Sequence, residues 1–185
     1  MIPTMKKPMK KASDQTEFTE ETALAFFVRH LDELKWNYHR YPEKPVLYSG
    51  FNGDNVQWNF SLHAREISPG IFLLGVNSSI PNKTPSERRA ATAELLTRIN
   101  FELSVGCFEL DLTDGEIRFR TSIILPAADI TPGIIEHLIR SNLSIVDERF
   151  PQIAAVLHSG VTAEEAIKPK DEKTSPNPES RFESN

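Results

Sequence analysis

The chain has 185 residues, of which 39% are apolar, 25% charged and 9% aromatic, and it carries a formal charge of −5, enough for one domain or one domain plus a tail. Its longest apolar run falls far short of the roughly 20 residues of a membrane span. The single cysteine excludes an internal disulfide and a thiolate metal cage, and no glycine-rich phosphate loop is present.

The charge is uneven. Residues 1–16, with Lys6, Lys7, Lys10, Lys11 and Asp14, are net +3; residues 168–185 are balanced, which leaves −8 on residues 17–167. An acidic body argues against binding along a phosphate backbone. The lysine-rich head is followed by Ala12-Ser13-Asp14-Gln15, where a secretory signal needs an apolar run, so a cytoplasmic chain is expected. Without secretion, the Asn-x-Ser/Thr triplets at Asn59, Asn77, Asn82 and Asn142 carry no meaning. The reading divides the chain into a disordered head (1–16), one folded domain (17–167) and a polar disordered tail (168–185).

A first helix is predicted after Thr19. Glu20 and Glu21 lie in its first turn, and Leu24, Phe27, Val28, Leu31 and Leu34 form an apolar stripe ending near Trp36. Asn52-Gly53 then signals a hairpin with a two-residue turn, which pairs Phe51 with Asp54 and Leu47 with Trp58. In its second strand Val56, Trp58, Phe60 and Leu62 face the core, while Gln57, Asn59, Ser61 and His63 face water. Ser68-Pro69-Gly70 turns the chain into a strand over Ile71–Val76, where both alternating sets are apolar and the register stays open.

Thr84, Pro85 and Glu87 predict a capping box at the start of a second helix, with Ala91, Leu95 and Ile99 on its buried stripe, Leu96 beside it, and a stop near Asn100. Asp114-Gly115 predicts a second two-residue hairpin. Leu112 then faces Ile117, Leu110 faces Phe119 and Phe108 faces Thr121; on the other face Asp111 meets Arg118 and Glu109 meets Arg120. Thr131-Pro132 opens a third helix that Pro151 should kink or divide. Gly160 stops it, and Thr162 and Glu165 cap a last turn through Ile167. The order α-β-β-β-α-β-β-α-α implies an α+β two-layer sandwich: a largely antiparallel five-stranded sheet with helices packed on one face.

The runs Asn100-Phe101, Gly106 to Asp111 and Asp114 to Ser122 resemble the central signature of YbjN-type proteins, bacterial sensory transduction regulators. Gly160-Val161-Thr162-Ala163-Glu164-Glu165-Ala166 is similar to that family's closing motif, with Ala163 where proline is usual. The resemblance spans about residues 18–167. It implies a fold similar to type III secretion chaperones, which bind other proteins and often dimerise, and it implies no catalytic residues.

The residues themselves offer little chemistry. His30, His39, His63, His137 and His158 lack the spacing of a helical metal pair, and His63 and Glu66 fall on opposite strand faces. Cys107 shares its face with Glu109 and Arg120 and has Ser122 across the strand, which is no environment for a thiolate nucleophile. Glu109 and Asp111 could suggest a glycosidase pair, but facing arginines lower carboxyl pKa values, which is wrong for a general acid. Arg88 and Arg89 stand near a helix start, where cations are disfavoured; they either share a solvated face with Glu87 and Glu94 or serve an anionic partner. Trp36, Tyr38, Tyr41 and Tyr48 either pack over the sheet end or form a docking patch. Trp36, Tyr38, Tyr41, Arg88 and Arg89 are thus the candidate partner surface. The expected function is a non-catalytic interaction or regulatory module, possessing no cofactor or metal, whose partner is another protein, with a homodimer open. The alternative is a small-ligand sensor with a pocket between helix and sheet.

Overall fold

The computed structural model describes residues 18–168 other than residue 42; the expected head and tail lie outside the described residues. The elements are α1 (Glu20–Glu33), β1 (Tyr38–Arg40), β2 (Val46–Asn52), β3 (Gln57–Ser68), β4 (Ile71–Ser79), α2 (Arg89–Glu102), β5 (Cys107–Leu110), β6 (Ile117–Pro126), α3 (Pro132–His158) and α4 (Ala163–Ile167). The strands form one antiparallel sheet in the order β1-β2-β3-β4-β6-β5. It has six strands, not five. The extra one is β1: Lys35, at φ +58°, reverses the chain after α1, and Trp36 plugs into the core against Phe51 and Phe60. That anchor brings Tyr38 opposite Ser49.

The helices lie on one face. Leu24, Phe27 and Leu31 of α1 and Ile135, Ile139, Leu143 and Val146 of α3 are fully buried with Leu62, Phe72, Leu74, Val76 and Phe119 of the sheet. Each such side chain contributes roughly 1.5–3 kcal/mol. The open register of β4 is settled: Phe72, Leu74 and Val76 point inward, while Ile71 and Leu73 are half-buried on the other face.

Both hairpins differ from expectation by an even slide. Asn52 pairs with Gln57, so Phe51 opposes Trp58 and Leu47 opposes Leu62, and residues 53–56 form the loop. The loop is closed from outside. The buried Asp147 carboxylate of α3 accepts from the amides of Asp54 (3.1 Å) and Asn55 (2.8 Å). Gly53 is required for space, because a β-carbon there would overlap that carboxylate. The same junction explains why Pro151 does not divide α3. Proline leaves the carbonyl four residues earlier without its helical donor. That carbonyl belongs to Asp147, and the Asn55 side chain donates to it at 3.0 Å.

In the second hairpin Leu110 opposes Ile117 and Phe108 opposes Phe119, two residues from the expected pairing. Asp111 does not meet Arg118; its carboxylate accepts from the Thr113 amide (2.7 Å), and Leu112 is exposed rather than buried. Gly115, at φ +83°, lies against the Thr84 backbone, whose amide donates to the Gly115 carbonyl at 2.7 Å. Thr84 is therefore held as a strut and does not cap α2. A 3₁₀ turn, Ser86–Arg88, leads into the helix without a side-chain cap, and Glu87 accepts instead from Ser86. The capping boxes differ in this respect: the one between Thr162 and Glu165 is complete.

At the sheet centre a buried polar chain ties α3 to the strands. Trp58 Nε1 donates to Ser78 (2.8 Å), and Ser78 donates to Asn142 Oδ1. Asn142 Nδ2 lies within bonding distance of Val76 O, Phe119 O and Thr121 Oγ1. Among the described residues no helix is long and apolar enough to cross a membrane.

Candidate partner surface

Strand alternation puts one set of side chains under the helices and the other on the open face. Across the six strands the open face carries a row of His39, Tyr48, Ser61, Asn77, Arg120 and Cys107. A second row runs Val46, His63, Gly75 and Ser122, and a third Arg65, Leu73 and Ile124. The open face holds a depression of about 550 Å³, bounded by Tyr48, His63, Arg65, Leu73, Arg120 and Ser122. Among the candidates expected from sequence, only Tyr41 takes part in this exposed region. It is half exposed and stacks edge-on with His39 and Tyr48 at the β1–β2 edge.

Trp36 is 4% exposed and cannot be a partner surface; its indole is core. Tyr38 is half-buried and packed against that core. Arg88 donates to the carbonyls of Val156 and Val161, both at 2.9 Å, around the C-terminal end of α3, where a cation is favoured. Arg89 donates to the Leu112 carbonyl at 2.9 Å. These arginines staple α2 to α3 and to the second hairpin. Arg88 commits Nε and Nη2, and Arg89 commits Nη1, to backbone carbonyls, so both side chains brace the fold.

Burial pushes the Glu109 carboxyl up, but hydrogen bonds from Arg120 and Arg118 outweigh it and hold it below the ordinary range. That one carboxylate bridges both arginines. Cys107 lies near Arg120 and Glu109, at 3.8 and 3.9 Å from their polar atoms, and Arg120, not Ser122, is opposite it. His30 is half-buried beside α3, and burial lowers its pKa. His39, His137 and His158 are exposed. No group of three or more His, Cys, Asp and Glu among the described residues could hold a metal. His63 was legible as a solvent-side strand residue, but its site was not, because Gly75 enters from a strand whose register the sequence left open.

A comparison with curated proteins finds no match. Among solved structures, the chain is similar to YbjN of E. coli, described as a putative transcription regulator, with 14% identity and a TM-score of 0.45, covering 74% of this chain and 90% of that one. The family model of YbjN, described as "putative bacterial sensory transduction regulator", matches residues 28–155. With the matched segment reaching from within α1 through the sheet and most of α3, the chain belongs to the YbjN family.

Proposed function

We propose that this protein is a non-catalytic regulatory module that acts by binding another protein through the open face of its sheet. The observation that carries the reading is the one-sided cover of the sheet: helices bury one face, while the other presents Tyr48, Leu73 and Ile124 among polar residues. Exposed aromatic side chains such as Tyr48 are enriched at protein interfaces. The structural use made of Arg88, Arg89 and Glu109 agrees with it, since these charged groups are committed to holding the fold or the sheet.

The test is capture from native lysate on the immobilised full-length protein, followed by reconstitution of the purified pair. A stoichiometric complex that is lost when Tyr48 and Ile124 are both changed to Glu is the expected result. Failure to recover any stoichiometric protein partner overturns the reading. A small-ligand sensor is the second reading, with the depression on the open face as its place, because the space between α3 and the sheet is filled by side chains. A thermal-shift panel of nucleotides and metabolites separates the two: a true ligand at a hundredfold excess over its Kd stabilises by about 2.7 kcal/mol.

A further inference from the structure

β5 covers only residues 117–120 of β6, so beyond Arg120 the outer side of β6 has no neighbouring strand among the described residues. The phase of that free edge follows from Asn100. The Phe108 amide donates to Asn100 Oδ1 (2.8 Å) and the Phe108 carbonyl accepts from Asn100 Nδ2 (3.0 Å), so both point away from β6. Cys107 with Arg120, and Glu109 with Arg118, are then the pairs that exchange backbone bonds. Alternation turns the N–H and C=O of Ser122 and Ile124 toward the same side, now vacant, and those of Thr121 and Ile123 toward β4. Among the described residues nothing bonds the Ser122 or Ile124 backbone from that side. Elsewhere side chains meet such groups: Asn100 serves Phe108, and where β3 outruns β2 the Glu20 carboxylate accepts from the Glu66 amide at 2.9 Å. Charge, proline or a bulge is the usual protection of an edge, and residues 122–125 have none of them. Ile123, 37% exposed, and Ile124, 59% exposed, flank the vacancy on its two sides.

We infer that this vacant edge of β6 receives an extended apolar segment of the partner protein, which adds as a strand in line with β5; the assignment rests on the reading of the chain as an interaction module. A row of alternating N–H and C=O groups is matched by another extended backbone, which brings an acceptor and a donor at every second residue. Cys107 at one end and Pro126 at the other leave the positions opposite residues 122–125 for it. Its side chains alternate in direction. Those on one side meet Ile123; those on the other meet Ile124, beside Leu73 of β4. No charged side chain stands on residues 121–126 to call for a charged segment. The same limits obstruct a second copy paired symmetrically about Ile123. Setting Ser122 opposite Ile124 of that copy brings its Pro126 opposite Arg120, a place that Cys107 holds.

The test is fluorescence anisotropy on the full chain with a labelled peptide of sequence Lys-Thr-Val-Ile-Val-Thr-Lys, and with two forms of it N-methylated on one or the other alternating set of backbone amides. The parent peptide is expected to bind. One methylated form should lose about tenfold or more and the other should keep its affinity, because only one set of a strand's amides faces the sheet. Ser122→Pro removes an outward N–H and leaves the bonds to β4, and Ile123→Lys sets a charge at the edge. Each should weaken the peptide about tenfold with an unchanged melting temperature. Absence of binding, equal behaviour of the two methylated forms, or indifference to either substitution overturns the assignment. So does a dimer of the free chain that Ser122→Pro dissociates, which would give the edge to a second copy. Ser122→Pro as bait in the lysate experiment separates the two levels. A partner held equally by the variant overturns strand addition and leaves the interaction module standing, while no partner on either bait overturns the module itself.

Discussion

The two faces of the sheet are built to different standards. Under the helices, fully buried apolar side chains form the core, and the polar atoms of Trp58, Ser78, Asn142 and Thr121 are joined in one chain. On the open face Arg65 is exposed, and Glu109 bridges Arg118 through one carboxylate oxygen and Arg120 through the other. Unpaired polar groups are costly inside a fold and tolerable where a partner or solvent can meet them. The contrast teaches that the covered face carries most of the stability, while polar groups on the open face can fall back on solvent.

The largest expected effect tests whether the closures beside the covered face have any slack. Gly115→Val adds a β-branched side chain at φ +83° and drives it into the Thr84 backbone. Strain and overlap together should cost about 4 kcal/mol, visible as a melting temperature lowered by roughly 10 °C. Asn142→Ala should follow at about 3 kcal/mol in chemical denaturation, because Ser78 and Thr121 lose a buried partner and a cavity opens at the sheet centre. A loss under about 1 kcal/mol would show that the polar chain is not needed, and would weaken the contrast.

Substitutions on the open face should be far milder. Glu109→Gln removes a partly exposed bridge and is expected to change stability by less than about 1 kcal/mol; a larger loss would mean the open face also carries the fold. The smallest effect is a pH slope. Burial, then the charges of Arg65 and Arg120, hold His63 below the ordinary histidine value of 6.5. The unfolded chain therefore takes up its proton first as pH falls, so this contribution to stability is whole above about 6.5 and is lost as pH drops toward the folded value. His30 adds a slope of the same sign through its own burial. Melting curves of His63→Asn should be flatter between pH 7 and 5 than those of the parent protein, with the His30 part retained. Parallel curves would place His63 in contact with water like an ordinary surface residue.

Much of the fold was legible along the chain. Thr19 and Thr131 cap their helices, the Thr162–Glu165 box forms, and the strand alternation from Trp58 to Leu62 and from Ile117 to Thr121 assigns the faces correctly. Less of the candidate site was visible. The aromatic cluster split, with Trp36 drawn into the core and Tyr41 and Tyr48 left outside, because a strand too short to announce itself, β1, pairs with β2. Arg88 and Arg89 could not be read as staples, since their acceptors are backbone carbonyls distant in sequence.

Local pattern determined which residues turn inward and which helices form, because side-chain direction repeats every two residues in a strand and every three to four in a helix. It could not determine how far each strand slides along its neighbour. A slide by an even number of residues keeps every side chain on its face, so burial is blind to it. Contacts from elsewhere made that choice: Asp147 of α3 holding the loop after Asn52, and Thr84 pressed against Gly115. The same long-range placement laid His63 over Gly75 on the open face.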